Sequence, residues 1–164
     1  MNEIVLILDD QNRRVISFNR SNIAILAMIF FDSQQMQNSS SFNSTFDRHS
    51  LITCDRNETI YILHESNNEL TRIEKFLKTQ NHSNLFFNDS VHVRFLSKHS
   101  LFTGMCINPI DGTIFLSDYK NHQVISIDPN VFNQAVYVGT GIAGKQSNQL
   151  MNPTTIAMNH RQQL

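Results

Sequence analysis

Cysteine is scarce in this 164-residue chain: Cys54 and Cys106 are the only two, too few for the disulfide framework of a small secreted module. An excess of one charge is lacking as well. Thirteen Lys and Arg against 14 Asp and Glu leave a net charge of −1. That balance argues against a protein whose work is to neutralise many phosphates. No apolar run approaches the roughly 20 residues that cross a bilayer; the longest covers residues 23–31. The first ten residues lack the basic start, long apolar run and small-residue cleavage site of a signal peptide, so the default compartment is the cytoplasm. The seven histidines show no zinc-ligand spacing, neither cysteine has a near partner, and no Gly-x-Ser-x-Gly elbow occurs. No catalytic residue, metal ligand or cofactor is therefore expected.

Glycine is low at 5, yet there are 19 Asn, 11 Gln and 16 Ser. Asn tolerates positive φ better than other non-glycine residues, so a turn-rich β chain can use it in place of glycine. Only residues 32–45 read as a low-complexity tract. Asn19, Asn38, Asn43, Asn57, Asn81 and Asn88 are Asn-x-Ser/Thr acceptors, an excess that keeps an extracellular parent protein open.

The chain repeats itself. Thr113-Ile-Phe-Leu-Ser-Asp-Tyr-Lys-Asn-His-Gln-Val-Ile-Ser-Ile127 lies over Thr59-Ile-Tyr-Ile-Leu-His-Glu-Ser-Asn-Asn-Glu-Leu-Thr-Arg-Ile73 without a gap, and Leu51-Ile-Thr53 falls over Met105-Cys-Ile107. Val5-Leu-Ile-Leu-Asp-Asp-Gln-Asn-Arg-Arg-Val-Ile-Ser-Phe18 is a further copy, and Pro153–Asn159 resembles Met105–Asn108. Strands are expected at 104–108, 113–117, 123–128 and 134–138. Asn108-Pro-Ile-Asp-Gly112 has the composition of a tight hairpin. The second strand of each unit is apolar throughout, as for a strand covered on both faces. In the third strand, Ile16, Thr71 and Ile125 are expected to share one face with Phe18, Ile73 and Ile127. Residues 64–79 also admit a helix; the repeat register favours a strand through Ile73.

Four short strands in units of about 50 residues are the signature of β-propeller blades. The expected fold is all-β: about three four-stranded antiparallel blades at 1–45, 46–98 and 99–149, with a next blade starting at 150–164. Closed propellers have about four to eight blades. The expectation is therefore an incomplete ring, either a segment of a longer propeller or one that closes by self-association into about six blades.

Within Leu101–Met158, Asp118-Tyr-Lys-Asn-His-Gln-Val124, Val138-Gly-Thr-Gly-Ile-Ala-Gly144 and Leu150-Met-Asn-Pro-Thr-Thr-Ile-Ala157 together resemble one repeat of the NHL β-propeller family. Gln123 stands where that pattern has Arg; Asp9-Asp-Gln-Asn-Arg-Arg-Val15 is closer in charge, and the copy at 64–70 is degenerate. The resemblance implies a non-catalytic platform for protein or RNA. The near-neutral charge favours protein. The rival that the resemblance also carries is a six-bladed metal-dependent hydrolase or lyase of the gluconolactonase or peptidyl-amidating type. A structural spacer is a third possibility.

Arg13, Arg14, His122 and Gln123 lie in equivalent turns and are the candidate binding-loop residues, since loops on rigid scaffolds commonly carry binding. Asp9, Asn12, Asn67, Asp118 and Asn121 are expected to hold those turns through Asx bonds. Gly139, Gly141, Gly144 and Pro153 belong to the link between units. Gly139-Thr-Gly-Ile-Ala-Gly144 spells the dinucleotide fingerprint, but poor helix material follows and no acidic residue occurs after Asp128, so an inter-blade link explains it better.

Overall fold

A computed structural model describes residues 4–9, 14–19, 25–30, 50–57, 59–65, 71–76, 91–95, 99–131 and 133–159. Among these the chain is all β, with eleven strands and no helix. The strands are β1 (Ile4–Asp9), β2 (Arg14–Asn19), β3 (Ile25–Phe30), β4 (Ser50–Cys54), β5 (Ile60–Glu65), β6 (Thr71–Phe76), β7 (Val91–Phe95), β8 (Phe102–Ile107), β9 (Ile114–Asp118), β10 (Gln123–Ile127) and β11 (Gln134–Val138). They form three separate antiparallel meanders: β1-β2-β3, β4-β5-β6-β7 and β8-β9-β10-β11. Residues 71–76 are strand, which settles the helical alternative there.

The sheets lie face against face, and β5 shows why its residues are apolar on both sides. Successive side chains of a strand point to opposite faces. Ile60 and Ile62 turn toward the first sheet, where Val15, Leu6 and Leu8 cover them. Tyr61 and Leu63 turn the other way and join Phe102, Ile114, Leu116, Ile125 and Ile127 of the third sheet. β9 repeats the arrangement. Ile114 and Leu116 face the second sheet, while Phe115 faces away with Cys106 and Val124 and is covered by Leu150, Ile156 and Met158. Each fully buried aliphatic side chain contributes about 1.5–3 kcal/mol relative to exposure. Most of that gain comes from burial between neighbouring sheets.

The gap-free repeat needs two local shifts. β9 pairs Asp118 with Gln123, as β1 pairs Asp9 with Arg14, but β5 pairs His64 with Arg72 across a longer turn. Ile73 thus stands opposite Leu63, the place that Val124 holds opposite Ser117. It is not the counterpart of Ile127, and the odd shift moves it to the other face. In the first strands the ladder sets Ile52, not Leu51, in the place of Met105.

Candidate functional site

Hairpin turns lie at both ends of the sheets. The C-terminal ends of β1, β5 and β9 lie at one end; the turns after β4, β8 and β10 lie at the other.

At the β9–β10 end, Asp118 is only 1% exposed. Its Oδ1 accepts hydrogen bonds from the Leu101 amide (3.3 Å) and the Asn121 amide (3.2 Å). Its Oδ2 accepts from Ser100 Oγ and Asn121 Nδ2, both at 2.7 Å. A buried carboxylate is tolerable only with its lone pairs satisfied, and four donors do so here. The result ties the turn to the lead-in of β8, where the Tyr119 amide also donates to the Leu101 carbonyl at 2.9 Å.

His122 is half-buried in the left-handed region at φ 53°. Its Nδ1 accepts from the Asn152 amide at 3.1 Å, and Asn152 Nδ2 donates to the Tyr119 carbonyl at 3.2 Å. The imidazole therefore pins the residues after β11 onto this turn. Gly139, at φ 99°, is required beside it, because a Cβ there would lie 2.5 Å from the His122 carbonyl oxygen. Gln123 opens β10 and packs against Gly139, Gly141 has φ 76°, and the Gly144 amide donates to Leu150 at 3.3 Å. The Pro153 carbonyl accepts from Thr103 Oγ1 at 3.0 Å. No helix follows the glycines among the described residues. Asp9 closes β1 and Arg14 opens β2, paired with each other in the ladder. Asn12, Arg13 and Asn67 lie outside the described residues. At this end the exposed side chain of the turn is Lys120.

The opposite end carries the Asn108–Gly112 hairpin and its neighbours. Asp55 Oδ1 accepts from the Asn57 and Thr59 amides, both at 2.9 Å. Asn108 Oδ1 accepts from Ile110 (3.0 Å), Asp111 Oδ1 from Thr113 (2.9 Å), and Asp128 Oδ1 from Asn130 (2.8 Å). The bonds to Asn57, Ile110, Thr113 and Asn130, each two residues on, are Asx turns. Between the Asp55–Asn57 and Pro109–Gly112 turns lies an open cleft of about 190 Å³, reached by Arg56, Lys75, Asp111 and Ile110. At its floor the Tyr61 hydroxyl donates to Asp55 Oδ2 at 3.3 Å, and Lys75 Nζ sits 5.8 Å from the ring centre. Burial, helped by the Asp55 charge and this hydrogen bond, pushes the Tyr61 phenol up to about 12. Two large apolar side chains stand out from these turns, Ile110 at 57% exposure and Val131 at 71%.

Elsewhere, burial pushes the Cys106 thiol up, and Cys54 is exposed. Among the described residues no three His, Cys, Asp or Glu converge as a metal cluster would need, and no helix is long and apolar enough to cross a membrane. The chain matches no protein-family model and no curated protein.

Proposed function

We propose that the chain is a β-propeller-type interaction module that binds a protein partner through the loops at one edge of its blades. Three successive meanders, each covering the next, support the propeller reading. The observation that carries the functional reading is the cleft end. There Ile110 and Val131 project from turns stiffened by Asx bonds, beside the cations of Arg56 and Lys75 and the carboxylate of Asp111. Rigid apolar tips ringed by mixed charge match the anatomy of a protein interface, an apolar centre with a polar rim. The cleft is also smaller than the roughly 300 Å³ at which small-molecule pockets begin.

The test is affinity capture from lysate with the native chain, Ile110→Asp, Arg56→Glu and, as control, Lys120→Glu at the other end. Capture of a discrete protein should fall at least about tenfold in the first two variants, with circular dichroism unchanged, and persist in the third. Equal capture by all four, or capture abolished by ribonuclease, would contradict a protein-binding cleft end.

A further inference from the structure

The charged groups of the cleft differ in what they already hold. Asp55 Oδ1 takes two backbone amides and Oδ2 takes the Tyr61 hydroxyl, so that carboxylate serves its own turn and the cleft floor. Asp111 Oδ1 takes the Thr113 amide. The Tyr61 phenol, pushed up to about 12, keeps its proton at neutral pH and adds no charge. The two cations are placed otherwise. Neither Arg56 nor Lys75 makes an ion pair among the described residues. The contact of the Lys75 ammonium is the Tyr61 ring, 5.8 Å from its centre and near the outer limit of cation–π attraction.

The repeat shows that Lys75 is a departure. In the ladders Leu6 stands opposite Ser17, Tyr61 opposite Lys75 and Phe115 opposite Ser126. These are equivalent places in the three sheets, so the second sheet has a long cation where the other two have Ser. The position is half-buried, on the face that Tyr61, Leu63 and Ile73 turn toward the third sheet. An ammonium there loses part of its hydration, and its three donors call for acceptors. Apolar packing between the sheets gives no reason for it; an anion entering the cleft does.

We infer that the cleft receives an acidic side chain, Asp or Glu, from the protein partner, its carboxylate held by Lys75 and Arg56 and an adjacent apolar residue of the partner lying on Ile110. This rests on the reading that the cleft end binds protein, and it names the chemistry recognised there. A carboxylate supplies acceptors to both cations, and charge-assisted bonds of that kind are about twice as strong as neutral ones. A space of about 190 Å³ suits one inserted side chain. The flanking carboxylates decide between anions. Asp55 and Asp111 line the same cleft, so a singly charged group balances the two cations, whereas a phosphate at about −2 or a nucleic-acid strand meets two like charges. Ile110, at 57% exposure, provides the apolar neighbour.

A displayed library of random peptides, selected on the full 164-residue chain, tests the inference. Selection should enrich Asp or Glu beside an apolar residue. For the most enriched peptide, calorimetry should show binding weakened at least about tenfold by Lys75→Gln in the chain, and as much by Gln in place of the peptide's acid. With Gln already in the peptide, Lys75→Gln should cost little more, because both changes remove one pair. Arg56→Gln, on an exposed turn, repeats the measurement without touching β6, and Lys75→Glu should turn the selection toward Lys and Arg. Enrichment without an acid, no enrichment, losses that simply add, or tighter binding of a phosphoserine form of the peptide would overturn the inference. Peptides that lack an acid yet are lost on Ile110→Asp would leave the protein-binding reading standing; peptides that Ile110→Asp binds as well as the native chain does would remove that reading too.

Discussion

At the scale of single residues, the side chains that look most functional are largely occupied in holding backbone. Asp118, Asn121 and His122 form one bonded unit that joins three segments of chain, which leaves Lys120 as the exposed group of that turn. The Asn excess suggests residues that take positive φ in place of glycine; among the described residues Asn152, at φ 49°, does so, whereas the Asx bonds of the turns come from Asp55, Asp111 and Asp128 as well as Asn108. What the composition could not reveal is that His122 accepts from a residue thirty positions on, since only the folded path of the tail creates that contact. Tyr61 carries the pH prediction. Its phenol stands near 12 against an ordinary 10.0, so the folded state holds that proton more tightly than the unfolded chain. The stabilisation is complete below pH 10 and lost as pH rises toward 12. Denaturant midpoints measured between pH 8 and 12 should fall more steeply above pH 10 for the native chain than for Tyr61→Phe; parallel curves would show that the buried phenol is not coupled to folding.

At the scale of strands, periodicity located the elements well where the hairpins are short. The strands expected at 104–108, 113–117, 123–128 and 134–138 are found within two residues, as β8 to β11. The face assignment of Ile73 went astray for a physical reason. A longer β5–β6 turn shifts the ladder by an odd number of residues, and apolar character alone does not register such a shift when both faces are buried. Gly104 illustrates the same blindness. Read from sequence it is one glycine in a strand; in the fold it is where the tail crosses β8 at backbone contact. Gly104→Ala would press a methyl against two backbone atoms of the tail, at a cost of about 1–3 kcal/mol. The midpoint of thermal unfolding should drop accordingly, and proteolytic cleavage within 153–158 should accelerate while β9 and β10 stay protected. Unchanged cleavage would mean that the tail is not seated there.

At the scale of the whole molecule, the stability of each sheet is borrowed from its neighbours. The repeat made this much legible, because strands apolar on both sides have no other use for their second face. The cleft end was not legible, since Asn108-Pro-Ile-Asp-Gly112 reads as an ordinary hairpin and nothing in the sequence sets the Asp55–Asn57 turn beside it. The central sheet is the sensitive point. Ile62 sits in the middle of β5 at 0% exposure, against Val15, Leu6 and Leu8 of the first sheet. Its truncation to Ala should cost about 2–5 kcal/mol. Hydrogen exchange by mass spectrometry on Ile62→Ala tests the claim most directly. If the sheets sustain one another, protection falls together in 4–9, 60–65 and 114–118; if only 50–95 opens and the other two sheets keep their native protection, each sheet stands alone and the stacked account is wrong.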